Sequence, residues 1–555
     1  MNFNNIRNDI SNISEAARLV YEADKKLFTG RLIMIGVQSV LPLAYLYLLK
    51  LLVDSISHHQ GSTYGMWTYA VFFCGIFVLI QISSLLTELT DELLSQKLTD
   101  HISSALHKQS ANLDLSFYDN AQYHDTFHRA QQEAGYRPML VVKNLSGIIQ
   151  SALSLAGIIA VLFTLSWLII VILVVAAIPS LFIRLYKSKI MYQWQRSNTN
   201  LFRKTHYYSD LLTNRRHAKE LRIFNIAEHF QERFNALRNE IVKNITNILF
   251  QRFRLSLGTV LVEGAGLLII VVLLYENVNS GLLTIGTFVM FFEAFRRGQG
   301  FMQGLVSNLS GLYNNKLFIG NLFEFMKLCP EISNDPEPVP FPNPIKQGII
   351  FENVSFHYPG SEKKVIDNMY LEAIPGTVTN NKGKNGAGKT TLIKLLCRLY
   401  DCDEGKITID GTDIRRFDLT ELRKNISVIF QDFSQYDLTV HENISLGNVS
   451  DMHNHFGIRQ AAQDSHAEEI IEGLPLGYDT QLGKQFENGE ELSLGQWQRI
   501  ALGRTLFKDA PIMILDEPTS WLDIETQEKF YTNLEKIKKN RIVILISHNE
   551  TQTKI

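Results

Sequence analysis

A chain of 555 residues has room for about three average domains, or for a membrane unit and one large soluble domain. With 46% hydrophobic and 20% charged residues it is slightly apolar and charge-poor for a soluble protein, and a formal net charge of -2 gives no basis for a nucleic-acid partner. The cysteines (Cys74, Cys329, Cys397, Cys402) are scattered, and no histidine or second cysteine pair completes a metal site, so they read as unpaired structural thiols.

The first thirty residues are polar and charged, with no cleavable signal peptide. Beyond Arg31, apolar runs long enough to cross a bilayer recur near 32–53, 67–87, 141–165, 167–187, 256–276 and 281–300, which predicts six membrane spans. The third and fourth are joined by barely a turn around Ser166. The fifth carries Glu263, and the sixth brings Glu293, Arg296 and Arg297 close to its end. A charge inside a span is costly in lipid, so Glu263 is a candidate cargo contact, whereas Glu293 is expected at an interface.

Segments 54–66 and 277–284 contain no lysine or arginine, while the intervening ones carry Lys97, Lys108, Arg129, Arg137, Arg184, Lys187, Lys189, Arg196 and Lys204. The positive-inside rule then places both termini in the cytoplasm. The cytoplasmic connections, about 88–138 and 188–250, are too long for ordinary loops and rich in helix formers. They predict membrane helices that extend well below the bilayer, each pair ending in a short turn able to touch a cytoplasmic partner.

Prolines at 336, 338, 340, 342 and 344 forbid helix and favour an extended spacer. This divides the chain into a membrane domain (1–329), a proline-rich linker (330–344) and an α/β domain (345–555), in which short β-rich runs alternate with helical ones.

Within the α/β domain Gly383, Gly388, Lys389 and Thr390 satisfy GxxxxGK[ST]. The glycines let backbone N–H groups converge on phosphate oxygens, Lys389 neutralises the β/γ-phosphates, and the Thr390 hydroxyl reaches Mg²⁺. The helix that follows adds its N-terminal dipole. The run 512-IMILDE-517 reads as a buried strand ending in two carboxylates: Asp516 to hold Mg²⁺ through water, Glu517 to activate the attacking water. His548, after 541-RIVILIS-547, is placed to sense the γ-phosphate. Gln431, after 426-ISVIF-430, is placed to reach metal or water.

Together these motifs resemble an ATP-binding cassette (ABC) exporter, with six spans fused to one P-loop ATPase domain, and the resemblance runs over nearly the whole chain. The segment 430-FQDFSQYDLTVHENI-444 is similar to that family's glutamine loop and 492-LSLGQWQR-499 to its signature motif. The segment 515-LDEPTSWLD-523 resembles the acidic strand end with the D-loop, 547-SH-548 the switch histidine, and Tyr358 in 354-VSFHYPG-360 the aromatic that stacks on adenine. The phrases FQDF, LSLGQWQR and 217-HAKELRIFN-225 look most like bacterial exporters of lantibiotics and related peptides.

The resemblance implies ATP and Mg²⁺ as cofactors, with Asn385, Gly386 and Thr391 joining the phosphate loop. It implies a dimer in which Ser493, Gly495 and Gln496 act on the partner's ATP and Asp523 couples the two sites. Segments near 113–125 and 208–224 would carry movement to the membrane helices. The expectation is a homodimeric, multi-pass exporter of the bacterial cytoplasmic membrane, whose amphiphilic cargo is a modified peptide, a lipid or a hydrophobic drug. No protease-like domain precedes the first span, so leader removal is not expected of this chain.

Three departures from the family pattern bear on activity. Polar residues 379-TNNK-382 stand where an apolar central strand is expected. Leu494 replaces a glycine, where a leucine would crowd the partner's γ-phosphate or occupy a backbone position suited to glycine, and Trp521 replaces a small residue and would add to the crowding. The chain stops seven residues after His548, where the family continues with further strands and a helix. These leave two rivals: a catalytically weak ATP-binding subunit of a heterodimer, and a non-transporting membrane sensor switched by ATP.

Overall fold

The computed structural model describes residues 15, 17–57, 63–119, 137–165, 167–381 and 388–547. Contacts divide the chain between Leu328 and Cys329, and assign the described residues 112–119 to the second unit.

The first unit is helical: α1 (Lys25–Ser57), α2 (Thr63–Asn112), then, after the short α3 (Leu115–Asp119) of the second unit, α4 (Arg137–Phe163), α5 (Trp167–Ser197), α6 (Thr199–Thr213), α7 (Ala218–Ile223), α8 (Ala227–Asn279) and α9 (Ile285–Met326). The first five predicted spans fall on long helices, and the sixth falls on one only from Ile285 onward. Among the described residues Lys25–Ser57, Gly65–Asn112, Arg137–Phe163 and Ala227–Asn279 are long and apolar enough to cross a membrane, and Trp167–Ile183 is a shorter apolar helix. At 50 and 53 residues, α2 and α8 are about 75 and 80 Å long, far more than a hydrocarbon core of about 30 Å requires. The described parts of the long connections are therefore largely helical extensions, and the short helices α3 and α7 sit where the sequence predicts turns.

The sixth predicted span needs correction. Residues 281–284 form a turn and α9 starts at Ile285, so the helix begins later than predicted and continues to Met326, well past Glu293, Arg296 and Arg297. Glu293 binds Arg296 at 2.7 Å and Arg297 at 3.0 Å, and the Arg297 guanidinium lies 4.6 Å from the Tyr45 ring centroid. Glu263 accepts a hydrogen bond from Gln303 at 3.0 Å, which ties α8 to α9. Gln38 links three helices, donating to Thr87 at 2.8 Å and accepting from Gln150 at 2.9 Å. In lipid, where apolar contact alone does not favour helix association, such bonds fix helix register.

The second unit holds two sheets. The strands β1 (Ile349–His357), β2 (Lys364–Ala373), β4 (Glu404–Ile409) and β5 (Thr412–Asp413) make an antiparallel sheet in the order β2-β1-β4-β5. The strands β3 (Val378–Asn381), β6 (Ile426–Ile429), β7 (Ile512–Asp516) and β8 (Ile542–Ile546) make a parallel sheet ordered β3-β8-β7-β6. Every residue of β7 and β8 is buried, because both strands lie inside the sheet with both faces covered, which explains their unbroken apolar runs.

The polar segment is corrected here. Residues 378–381 are strand, but β3 stands at the end of the described sheet, not at its centre. Asn380 is half-buried, and its Oδ1 has no hydrogen-bond partner, a defect worth about 1–3 kcal/mol. Lys382 lies outside the described residues.

The proline-rich stretch is extended, but it is not a free spacer. The Val339 N–H donates to the Arg416 carbonyl at 2.9 Å, and buried Phe341 packs on Phe417 at 5.3 Å between ring centroids. Cys397 is buried in the core of this unit, where burial pushes its thiol up to about 12, as suits a structural thiol.

Candidate functional site

All strands of the β3-β8-β7-β6 sheet are parallel, so their C-terminal ends share one edge, where open α/β sheets bind ligands. β3 leads into the phosphate loop, β6 into Gln431, β7 into Asp516 and Glu517, and β8 into Ser547 and His548. Of the predicted site residues, Gly383, Asn385, Gly386 and His548 lie outside the described residues.

Gly388 precedes helix α10 (Lys389–Leu396) with φ +78°, and a Cβ there would meet the Val365 carbonyl and the Ile366 side chain at 2.9 Å. Both facts call for glycine. Lys389 opens the helix and is buried. The Thr390 hydroxyl donates to Asp516 Oδ2 at 3.0 Å. Burial, above all, and the neighbouring Glu517 push the Asp516 carboxyl above the ordinary aspartate range, against the opposing pull of Thr390 and Lys389. A divalent cation would relieve that cost. The hydroxyl, the carboxylate and the nearby Gln431 amide form a hard oxygen donor set of the kind Mg²⁺ prefers.

The Gln431 Nε2 donates to Glu517 Oε2 at 2.9 Å. Glu517 adopts φ +49°, an uncommon conformation for a residue with a side chain, and its backbone is held on both sides. Its N–H donates to the Ile546 carbonyl at 3.0 Å, and its carbonyl accepts from Gln498 Nε2 at 3.0 Å. Gln498 is buried and also accepts the Trp521 N–H at 3.1 Å. It thereby joins the signature helix α15 (Leu494–Phe507) to the loop that carries Glu517. Sequence reasoning quoted Gln498 within LSLGQWQR but gave it no task; the only signal was its place on the inner face of a helix.

Ser493 caps α15. Its Oγ accepts the Gln496 N–H at 3.3 Å while Gln496 Oε1 accepts the Ser493 N–H at 2.8 Å, a reciprocal capping box. A Cβ on Gly495 would meet the Trp521 carbonyl at 2.4 Å, so this glycine is required by close backbone approach. Leu494 is the first helical residue and is not among the positive-φ positions. Of the two expectations for Leu494, the one that its backbone position suits glycine is overturned, since helical φ accommodates any side chain. Leu494 is 38% and Trp521 56% exposed, so neither crowds the interior of its own chain.

Asp523 caps α16 (Ile524–Ile537), accepting the Thr526 N–H at 3.0 Å and its hydroxyl at 2.7 Å, and pairs with Arg499 at 3.0 Å. The Thr526 bonds, chiefly, and Arg499 hold this carboxyl below the usual range. Tyr358 shares its hydroxyl with Thr391 Oγ1 at 3.0 Å and lies under the Lys394 ammonium at 5.2 Å from the ring centroid. The structure thus brings Thr390, Gln431, Asp516 and Glu517 together by direct bonds. It seats Tyr358 on the helix that Lys389 opens, and packs the signature residues against the Trp521–Asp523 loop.

This edge, with a lysine at a helix start facing paired carboxylates, defines a P-loop ATPase built behind a helical membrane unit. The sequence model of the ABC transporter family matches residues 366–520, so this part of the chain is an ABC transporter ATPase domain, and it is fused to a helical membrane domain. Among relatives, the subtilin transport ATP-binding protein of Bacillus subtilis is 27% identical over 543 residues, covering 97% of this chain and 87% of that protein. The nisin transport ATP-binding protein of Lactococcus lactis is 28% identical over 553 residues, covering 96% and 88%. An ATP-dependent lipid A-core flippase of Haemophilus influenzae is 28% identical over 515 residues, covering 91% and 84%. The solved structure of a bacterial Atm1-family ABC exporter with ATP bound shares the fold, with a TM-score of 0.79 at 21% identity over 95% of this chain and 91% of that one.

Proposed function

We propose that two copies of this chain form a homodimeric exporter of the bacterial cytoplasmic membrane that uses ATP to move an amphiphilic molecule outward. Six spans over residues 1–329, both termini in the cytoplasm, and an ATPase domain over 345–555 behind the 330–344 linker complete the reading. The names of the relatives favour a peptide or a lipid as cargo.

The observation that carries the reading is the pair of bonds Thr390–Asp516 and Gln431–Glu517, which sets a metal-holding pair beside a candidate base. Lys389 and the phosphate loop, with Gly383, Asn385, Gly386, Gly388 and Thr391, bind the β- and γ-phosphates, and Tyr358 stacks on the base. Mg²⁺ held by Thr390, Asp516 and Gln431 would supply neutralisation of phosphate charge. Glu517 orients and deprotonates the attacking water, and Gln431, whose amide holds the Glu517 carboxylate, would also offer its oxygen to the ion. His548 supports the γ-phosphate. Ser493, Gly495 and Gln496 face the partner's nucleotide, and Asp523 links the two sites.

The test is ATPase activity of the purified protein in lipid nanodiscs beside Glu517→Gln. Hydrolysis that vanishes in the variant supports the self-sufficient homodimer. A folded, ATP-binding wild type no faster than the variant overturns it and favours a weak subunit of a heterodimer. Cargo that stimulates hydrolysis separates transport from an ATP-switched sensor.

A further inference from the structure

The ring proposed to receive adenine is wired to a segment that continues a membrane helix. The Tyr358 ring meets Tyr400 edge-on, with centroids 5.4 Å apart and planes at 88°, and Phe356 at 5.2 Å and 79°. The Lys394 ammonium lies 5.2 Å from the Tyr358 centroid and 5.8 Å from that of Tyr400, so one cation spans both rings. Tyr400 is buried, and its hydroxyl donates to the Asp119 carboxylate. Burial and that carboxylate keep the phenol protonated far above neutral pH.

Asp119 is the last residue of α3, which is pinned at its other end as well. The Asp114 carboxylate accepts the N–H groups of Glu331 and Ile332 at 2.6 and 3.1 Å. Leu115 packs on the core that contains Tyr400, Leu392 and Ile393. Only Leu113 and Asp114 separate α3 from α2, the 50-residue helix that holds the second predicted span. The bond from α3 goes to the aromatic group around Tyr358, while the phosphate-side contacts run through Thr390, Asp516 and Gln431.

Building on the ATP reading above, we propose that Tyr400 and Asp119 are positioning residues that report the presence of the nucleotide base, as distinct from its phosphates, to α2. A base stacked on Tyr358 must share that ring with the Lys394 ammonium and the Tyr400 edge. Its arrival fixes the two tyrosine rings against each other, and the Tyr400–Asp119 bond passes that order to α3. A nucleotide lacking the base leaves the rings as they are.

The test uses the full chain in nanodiscs, carrying Glu517→Gln so that nucleotide is not consumed. Hydrogen exchange is followed in peptides covering 113–119 with Mg-ATP or with Mg-tripolyphosphate, and ATP affinity is measured separately. ATP is expected to slow exchange by about threefold or more, and tripolyphosphate to leave it unchanged. Tyr400→Phe and Asp119→Asn should each abolish the slowing while ATP affinity stays within about twofold, and the double variant should be no worse than either single one. Equal slowing by tripolyphosphate, or slowing that survives in both variants, overturns the proposal. ATP that binds without protecting 113–119 overturns this inference alone; ATP that does not bind overturns the ATP reading with it.

Discussion

Two strands of one sheet lead to the phosphate edge, and they are built from opposite materials. β7 is IMILD, buried throughout and flanked by β6 and β8. β3 is VTNN, partly exposed and paired with β8 at the end of the described sheet. The difference teaches that a polar strand is tolerable where its residues are only half-buried, and that the strand ending in Asp516, buried at every residue, has no such freedom. In the middle of β7 a polar side chain would be enclosed on every side, whereas β3 holds a half-buried Asn380 whose Oδ1 has no partner.

The comparison is most severely tested at the end of β7. Glu517→Gln should lower ATPase activity by about 10²–10⁴-fold with ATP affinity retained, measured as steady-state phosphate release. Next, Ile514→Asn in β7 should destabilise the ATPase unit by about 3 kcal/mol or more, seen as a clear fall in thermal midpoint by scanning fluorimetry. The matching change in β3, Asn380→Val, should instead raise the midpoint, by about 1–2 kcal/mol of stability, with hydrolysis preserved. A destabilised Asn380→Val would show that β3 needs its polar side chain and would break the contrast.

A pH experiment sharpens it further. The Asp516 carboxyl is raised in the folded protein, so the native state binds its proton more tightly than the unfolded chain does. Its favourable contribution is full below the ordinary aspartate range and is lost as pH rises through the raised native value. Without nucleotide or Mg²⁺, Asp516→Asn should therefore raise the thermal midpoint at neutral pH, and the gain should shrink as the solution is acidified through that window. The smallest effect is expected at Leu494→Gly, which touches neither strand. At an exposed helix start it should cost no more than about 1 kcal/mol, and the thermal midpoint should move little.

Much of this was legible in the sequence because its signals are local. Gly388 and Lys389 at a helix start, the apolar run ending in Asp516 and Glu517, and the first five apolar segments each fall on the element expected of them, whereas the sixth begins in a turn. The capping role of Ser493 and Gln496 was hidden, because a capping box is seen only once the helix start is known. The correction at Leu494 has the same origin: a glycine in a family pattern does not say whether φ or close approach requires it. Here the need for close approach lies at Gly495, against Trp521.

The sequence by itself determined the division into an apolar helical half and an α/β half, and the phosphate-binding chemistry, since composition, period and motif spacing are properties of neighbouring residues. Tertiary structure alone decided that β3 stands at the end of its described sheet, that Gln498 holds the backbone of Glu517, and that Asp119 meets Tyr400 across a separation of 281 residues. Such pairings depend on which strands and helices lie side by side, and no local pattern encodes the neighbour on the other side of a hydrogen bond.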